Sequence, residues 1–255
     1  MPLQIEIFKC LADNYGFLLH DSKSGRTAAI DAPEADPINK ALVRRNWKLS
    51  DVLITHHHWD HTGAIAALKL SHDITVSGSA LEADKIDGLD KKLSDGDRVM
   101  IGNTGLRVIA TPGHTLGHVC YFDTNGKNLF TGDAMFSLGC GRMFEGTPAM
   151  MWAGLERLRE LPDETMVYCG HEYGAANAAF ALSIDPNNKA LQTRAAEISA
   201  LRSKNLPEVP FLLGEDKRAN PFLRADDPEL ASLIGMSGAA PTEVFGAIRK
   251  AKDVF

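Results

Sequence analysis

From its start to about residue 170 the chain runs as short apolar stretches separated by turn-forming residues. "IEIF", "GFLLHD", "TAAIDA", "VLIT", "ITVSG", "LRVIAT", "VCYFD", "NLFTG" and "MVYCG" each have the length and the aliphatic, aromatic or β-branched content of a strand. "DTNGK" at 123–127 places Asn-Gly between two of them, which predicts a hairpin. Three stretches have helical spacing instead: "DPINKALVRRN" from Asp36, "TGAIAALKL" from Thr62, and "TPAMMWAGLERLREL", where Thr147 suits the cap and Pro148 the first turn. Strands interleaved with helices predict a layered α/β domain.

After Tyr173 the strand signals stop. "GAANAAFALSI", "PNNKALQTRAAEISALRSK", "DPELASLIG" and "APTEVFGAIRKAKDVF" all predict helices, divided by "NLPEVPFLLGEDKRANPFLR", whose prolines and lack of period predict an irregular loop. The chain is accordingly divided into an α/β domain over 1–172 and a smaller, all-helical domain over 173–255.

Bulk properties narrow the setting. The 255 residues, 44% hydrophobic and 24% charged, are enough for a sizeable core. Net charge is −6 and the Lys and Arg are scattered, which argues against nucleic-acid and anionic-membrane partners. The opening "MPLQIEIFKC" lacks the pattern of an export signal, and no apolar run approaches the roughly 20 residues of a membrane span. Cys10, Cys120, Cys140 and Cys169 are far apart and never form CxxC, so they read as buried free thiols of a cytoplasmic protein.

The unusual polar residues fall in one kind of place. "VLIT" runs into His56, His58, Asp60 and His61, "RVIATPG" into His114, "NLFTG" into Asp133 and "MVYCG" into His171, each just past a predicted strand. If those ends share one edge, five imidazoles and two carboxylates converge, which is a metal site. His56 and His58, two apart in extended chain, point the same way, while Asp60 and His61 turn into the next helix and can face elsewhere. Seven ligands exceed a tetrahedral zinc site but suit two divalent ions about 3.5 to 4 Å apart, bridged by a carboxylate and a hydroxide. Zinc is the first expectation, with iron or manganese as alternatives. Alternation turns His57 away from its neighbours and leaves it a supporting role at most; His20, His72 and His118 have no comparable context.

"THHHWDH", "GH" at 113–114, "TGD" at 131–133 and "GH" at 170–171 together resemble the metallo-β-lactamase superfamily. The resemblance implies an αββα sandwich with the metals at one edge. It implies that His56, His58 and His114 hold the first metal, Asp60, His61 and His171 the second, and that Asp133 bridges them. "SLGCGRMFEG" from Ser137, "GHEY" from Gly170, "NPFLR" from Asn220 and the basic last helix are similar to one branch, glyoxalase II (hydroxyacylglutathione hydrolase). Arg249 and Lys252, three apart on one helical face, can clamp a carboxylate. In that branch they meet the glycyl carboxylate of glutathione, with Arg142 and Tyr173 as further donors. The chain departs from the pattern at Phe144, where a tyrosine is frequent; the ring can pack on the ligand but lacks the hydroxyl.

The implied reaction is hydrolysis of S-D-lactoylglutathione to D-lactate and glutathione, the second step of methylglyoxal detoxification. A hydroxide held between the metals attacks the thioester carbonyl, with Asp60 and Asp133 as the carboxylates that place it. The expected partner is the small-molecule glutathione thioester, and the expected state of the protein is a monomer. Two alternatives remain at this point: a persulfide dioxygenase-like enzyme with one iron, and a non-catalytic module that binds metal or glutathione.

Overall fold

The computed structural model describes residues 2–255. They divide into two compact units, residues 2–110 with Thr115–Gly132, and Thr111–His114 with Asp133–Phe255. The first unit holds β1 (Gln4–Cys10), β2 (Asn14–Asp21), β3 (Arg26–Ile30), α1 (Ala35–Arg45), β4 (Asp51–Leu53), α2 (Trp59–Thr62), α3 (Ile65–Ser71), β5 (Thr75–Ser79), β6 (Lys91–Leu93), β7 (Arg98–Ile101), β8 (Thr104–Ala110), β9 (Val119–Asp123) and β10 (Asn128–Gly132). β1 to β6 form one sheet in sequence order, antiparallel over the first three strands and parallel thereafter. β7, β8, β9 and β10 form an antiparallel meander.

Apolar residues on one face of the first sheet pack under α1 and α3, with Leu18, Val52 and Val76 meeting Ile38, Leu42, Ile65 and Leu68 in one buried cluster. The strands of the two sheets also touch: Phe17 of β2 and Phe130 of β10 have ring centroids 5.8 Å apart, and the Tyr121 hydroxyl of β9 donates to the Ile54 carbonyl at 2.6 Å. β2 and β3 are therefore buried on both faces, which is why "GFLLHD" and "TAAIDA" read as continuous rather than alternating runs.

The second unit holds β11 (Met135–Phe136), β12 (Gly139–Cys140), α4 (Pro148–Arg159), β13 (Met166–Cys169), α5 (Gly174–Ile184), α6 (Lys189–Ser203), β14 (Phe211–Leu212), α7 (Leu213–Ala219), α8 (Pro228–Leu233) and α9 (Pro241–Asp253). Thr147 caps α4 by accepting from the Met150 N–H at 3.3 Å, with Pro148 in the first turn as its spacing predicts. All four cysteines are buried free thiols. Among the described residues no helix is long and apolar enough to cross a membrane.

Two expectations need correction, and a third is met with a detail of its own. The helix predicted from Thr62 is broken: α2 ends there and α3 starts at Ile65, because the chain after β3 intervenes, Ala32 N–H donating to the His61 carbonyl and Ala64 N–H to the Ala32 carbonyl. The stretch 205–224 is not an irregular loop, since it contains β14, α7 and a 3-10 turn, Pro221–Leu223; seven residues are too short to show a helical period. The region after Tyr173 is consequently helical except for β14, which pairs antiparallel with β13. The expected Asn-Gly hairpin forms between β9 and β10, with a four-residue loop in which Lys127 takes the left-handed conformation.

Candidate metal centre and substrate cavity

In the first unit, four of the expected ligands follow β4. Thr55 is fixed before them: its N–H and hydroxyl donate to the two oxygens of Asp31 at 2.7 and 2.9 Å. Asp31 lies at the end of β3, buried, with φ 59°, a conformation that a non-glycine residue adopts at a cost and keeps only where its surroundings fix it. The same carboxylate accepts from His61 Nδ1 at 2.8 Å, so the proton of that ring sits on Nδ1 and Nε2 carries the lone pair. The Thr55 hydroxyl, already donating to Asp31, accepts from His56 Nδ1 at 3.0 Å and fixes that ring likewise.

His56 Nε2 then faces His58 Nδ1 at 3.0 Å. Two nitrogens each about 2.05 Å from one tetrahedral ion would stand about 3.3 Å apart, so the pair fits a shared cation. Asp60 is steadied by Asn14, whose side-chain amide donates to its carbonyl at 3.2 Å and to Oδ2 at 3.1 Å; that Oδ2 lies 3.4 Å from His61 Nε2. Asp31 and Asn14 are not among the site residues expected from the sequence. Asp31 follows a strand as the ligands do, and the same positional rule would have found it.

His57 turns away as alternation requires, its Nδ1 3.2 Å from Glu82 Oε2, while Glu82 Oε1 accepts from Gly117 N–H. His118 is fully buried with its ring stacked 5.0 Å from that of His56, so it backs a candidate ligand; its position inside the "GHVCYF" run gave no sign of this. His20 stacks on Trp47 at 4.5 Å, and burial lowers its pKa; His72 Nε2 meets Asn39 Oδ1 at 2.7 Å.

In the second unit the remaining three expected ligands meet. His114 Nδ1 donates to the Arg142 carbonyl at 2.8 Å, which leaves Nε2 towards Asp133 Oδ2 at 3.5 Å. His171 Nε2 approaches the same oxygen at 3.4 Å, so one carboxylate oxygen of Asp133 stands between two imidazole nitrogens. The His171 ring lies parallel to that of Tyr173, 4.8 Å away, with Phe136 edge-on to both. Gly141 has to be glycine: a Cβ there would overlap the Asp133 carbonyl oxygen and stand 3.0 Å from His114 Nδ1. The main chain of the "GCGR" segment can thus lie directly against two of the ligands.

His114 and Asp133 open onto a cavity of about 540 Å³. Its walls bring together all five residues expected to bind substrate: Arg142, Phe144, Tyr173, Arg249 and Lys252. Phe144 is 62% exposed, its ring centroid 5.2 Å from that of His114. Arg142 is exposed and reaches towards Asp253 at 3.9 Å. Arg249 is only 3% exposed: Nη1 donates to the Cys140 carbonyl at 2.9 Å, Nη2 to Asp253 Oδ1 at 3.1 Å, and the guanidinium lies over Phe222. It is a packed cation, not the solvated end of a helix. Lys252 donates to the Ala176 carbonyl at 2.9 Å and lies over Phe180 and Phe255. Burial first, then the charges of Arg249 and Arg142, lower its pKa.

Comparison with known proteins places these parts in a family. The model of the metallo-beta-lactamase superfamily matches residues 24–171, and that of the hydroxyacylglutathione hydrolase C-terminus matches 172–255. The hydroxyacylglutathione hydrolase of Ruegeria pomeroyi is 51% identical over 255 residues, covering 100% of both chains. That of Rhizobium meliloti is 52% identical over 253 residues, 99% of each. Among solved structures, ETHE1 from Myxococcus xanthus is similar with a TM-score of 0.69 at 26% identity, covering 98% of this chain and 90% of that one. TTHA1623 in a di-iron-bound form is similar with a TM-score of 0.58 at 26% identity, over 66% of this chain and 91% of its own.

Proposed function

The chain belongs to the hydroxyacylglutathione hydrolase family, glyoxalase II, within the metallo-beta-lactamase superfamily, and on that premise we propose S-D-lactoylglutathione as its substrate, with D-lactate and glutathione as products. It is a metal-dependent thioester hydrolase with the metallo-beta-lactamase fold. The match to the hydroxyacylglutathione hydrolase C-terminus over 172–255 favours this reading over a persulfide dioxygenase or a non-catalytic module. We assign the catalytic domain to 1–172 and the domain that recognises glutathione to 173–255.

Histidines and aspartates of the kind and number that suit a binuclear metal site stand in both units. We assign His56, His58 and His114 to one ion, Asp60, His61 and His171 to the other, and Asp133 to both. Zinc is the proposed metal; iron is the first alternative, given the di-iron form of TTHA1623, and manganese the second. When bound, the two ions supply a water nucleophile that is deprotonated near neutral pH and polarise the carbonyl it attacks.

The protein's own groups do the rest. Asp31 and Thr55 keep the protons of His61 and His56 on the nitrogens that face away from the ions, and Asn14 holds the Asp60 carboxylate in place. Lys252, Arg142 and Arg249 line the cavity that His114 and Asp133 open onto and outnumber its carboxylates, Asp133 and Asp253, which suits a ligand that carries a carboxylate at one end and a thioester towards the other. Phe144 gives that ligand an apolar wall, and Tyr173 is assigned as a further donor to it. The departing thiolate has a pKa of about 8.5, low enough to leave with little help from an acid. The proposal extends to a cytoplasmic monomer, with four buried free thiols that suit a reducing compartment.

The carrying observation is the cavity that joins two expected ligands to all five expected substrate contacts. Metal analysis of the purified protein paired with thioester cleavage tests the reading. Two metals per chain and rapid hydrolysis of S-D-lactoylglutathione are expected. A sample loaded with two metals that leaves that thioester intact would overturn it.

A further inference from the structure

β11 and β12 form a tight hairpin, Met135 pairing with Cys140 and Phe136 with Gly139, so that Ser137 and Leu138 make the turn. Leu138 takes φ 57° although it has a branched, fully buried side chain, and a residue of that kind stays left-handed only when its surroundings hold it there. The surroundings are unusually explicit. The leucine side chain sits in a cluster with Ala178, Ala181, Leu191 and Ala219, from three helices of the C-terminal region.

The polar groups of the turn are held as well. Asp216 of α7 accepts from Leu138 N–H at 3.0 Å, and Asn220 donates to the Gly139 carbonyl at 3.0 Å and to Asp216 Oδ2 at 2.8 Å. Asn177 donates to the Ser137 carbonyl at 3.2 Å and Arg194 Nε to the Ser137 hydroxyl at 3.1 Å. Both Asp216 and Asn220 are almost completely buried, and the reaction described above uses neither.

Immediately after the turn the main chain makes two contacts that matter to the site. The Cys140 carbonyl accepts from Arg249 Nη1 at 2.9 Å, and the Arg142 carbonyl accepts from His114 Nδ1 at 2.8 Å. We propose that Asp216 and Asn220 are positioning residues: by clamping the 136–139 turn they set the two carbonyls that fix the tautomer of His114 and the direction of Arg249. One buried pair on the helical side thus serves the metal side and the substrate side of the cavity together. The inference rests on the assignment of His114 as a ligand and of Arg249 as a substrate contact.

The experiment compares the full-length protein with Asn220→Ala, well below both melting temperatures. Cobalt(II) titration of the chelator-treated chain reads the metal side; KM and kcat on S-D-lactoylglutathione read the substrate side. Partners that orient a metal ligand are worth roughly 10- to 100-fold in affinity or activity, so cobalt affinity is expected to fall about tenfold, KM to rise and kcat to drop. Arg224→Gln is the control. Arg224 bonds Asp185 and Asp227, at the other end of "NPFLR", and its loss should lower the melting temperature while leaving all three quantities within about twofold, the scatter of a substitution remote from the site.

An Asn220→Ala protein that melts lower yet keeps cobalt affinity, KM and kcat overturns the proposal, as does an Arg224→Gln protein that reproduces the same losses. If alanine at 220 prevents folding, the near-isosteric Asp216→Asn takes its place: it still accepts from Leu138 N–H but sets donor against donor at Asn220, and the same pattern is expected. Should the parent cleave no thioester, the substrate reading fails by itself, and the cobalt titration still decides whether Asn220 acts on His114.

Discussion

In the first unit four candidate ligands come from six consecutive residues, and they are steadied by side chains: a carboxylate for His61, a hydroxyl for His56, an amide for Asp60. In the second unit three come from well-separated segments, and His114 is steadied by a main-chain carbonyl. A side chain can be deleted without moving the backbone, whereas a carbonyl is only as well placed as its turn. The first unit therefore concentrates its control in one buried group, Asp31, which collects three hydrogen bonds at a strained residue. The second spreads it over Asp216, Asn220, Asn177 and Arg194, each of which bonds the turn.

Asp31→Ala should give the largest effect short of removing a ligand. It frees the His61 proton to move to the other nitrogen and leaves the Thr55 N–H and hydroxyl without their acceptor. A loss of roughly 10- to 100-fold in metal affinity and in kcat is expected, read by metal titration and by initial rates. Equal losses from Asn177→Ala, which removes one of four groups on the turn, would erase the contrast between concentrated and distributed control.

The same contrast bears on pH. Asp21, at the end of β2 in the first unit, accepts from the Asn103 and Lys23 N–H groups and from Ser24, and these bonds hold its pKa down at about 2. Asp216 in the second unit is raised from 3.8 to about 6, burial outweighing the bonds from Asn220 and Leu138. Folded protein therefore keeps the Asp216 proton to a higher pH than the unfolded chain does, and stability is lost as pH rises from about 4 to about 6. Asp21 acts oppositely, its contribution being lost as pH falls from about 4 towards 2. The stability of the parent relative to Asp216→Asn should shrink by about 2–3 kcal/mol between pH 4 and pH 6.5, measured by denaturant unfolding. A constant difference across that range would mean that Asp216 is ionised throughout.

What could be seen in the sequence follows the same division. The seven expected ligands were legible because each follows a short run of hydrophobic residues, and such runs announce strands whether three residues pair, as in β4, or seven, as in β8. The five cavity residues were legible through family resemblance and, for Arg249 and Lys252, through helical spacing. Groups that act through the backbone were not. α7 is seven residues long, so Asp216 reads as one more charge in "GEDKRAN", and Asn220 stands in the "NPFLR" of the family resemblance with no role attached to it. His118 sits where alternation gives no clue to burial on both faces. Tertiary packing made these residues important, and no local pattern carries that.

Among the substrate contacts the two cations of α9 differ in the same sense as the two units. Lys252 is tied to one carbonyl and can turn to a ligand, while Arg249 is packed into the wall. Lys252→Ala should raise KM about tenfold with little change in kcat, as expected when a charge-assisted bond of about 1.5 kcal/mol serves bound substrate and transition state alike. Arg249→Ala should change both constants, because the Cys140 carbonyl loses its donor along with the charge. Steady-state kinetics of the pair separates them, and identical behaviour would return Arg249 to the role of a simple carboxylate clamp.

Phe144 offers the smallest effect and the finest test of how the cavity wall works. Its ring lies edge-on to His114 with 62% of the residue exposed, so a para hydroxyl would project from the wall that a substrate must pass. In the absence of ligand that hydroxyl would bond water, and only the difference between water and ligand counts. A neutral hydrogen bond gained in this way is worth about 0.5–1.5 kcal/mol, or roughly 2- to 12-fold in KM. Phe144→Tyr is therefore expected to lower KM within that range and to leave kcat and cobalt affinity unchanged, since the ring keeps its packing on His114. If KM stays where it was, the position contributes only its apolar face, and recognition of the ligand falls to the cations of the cavity. If kcat moves instead, the ring acts through His114, and the second unit steadies that histidine from its substrate side as well as through the turn behind it.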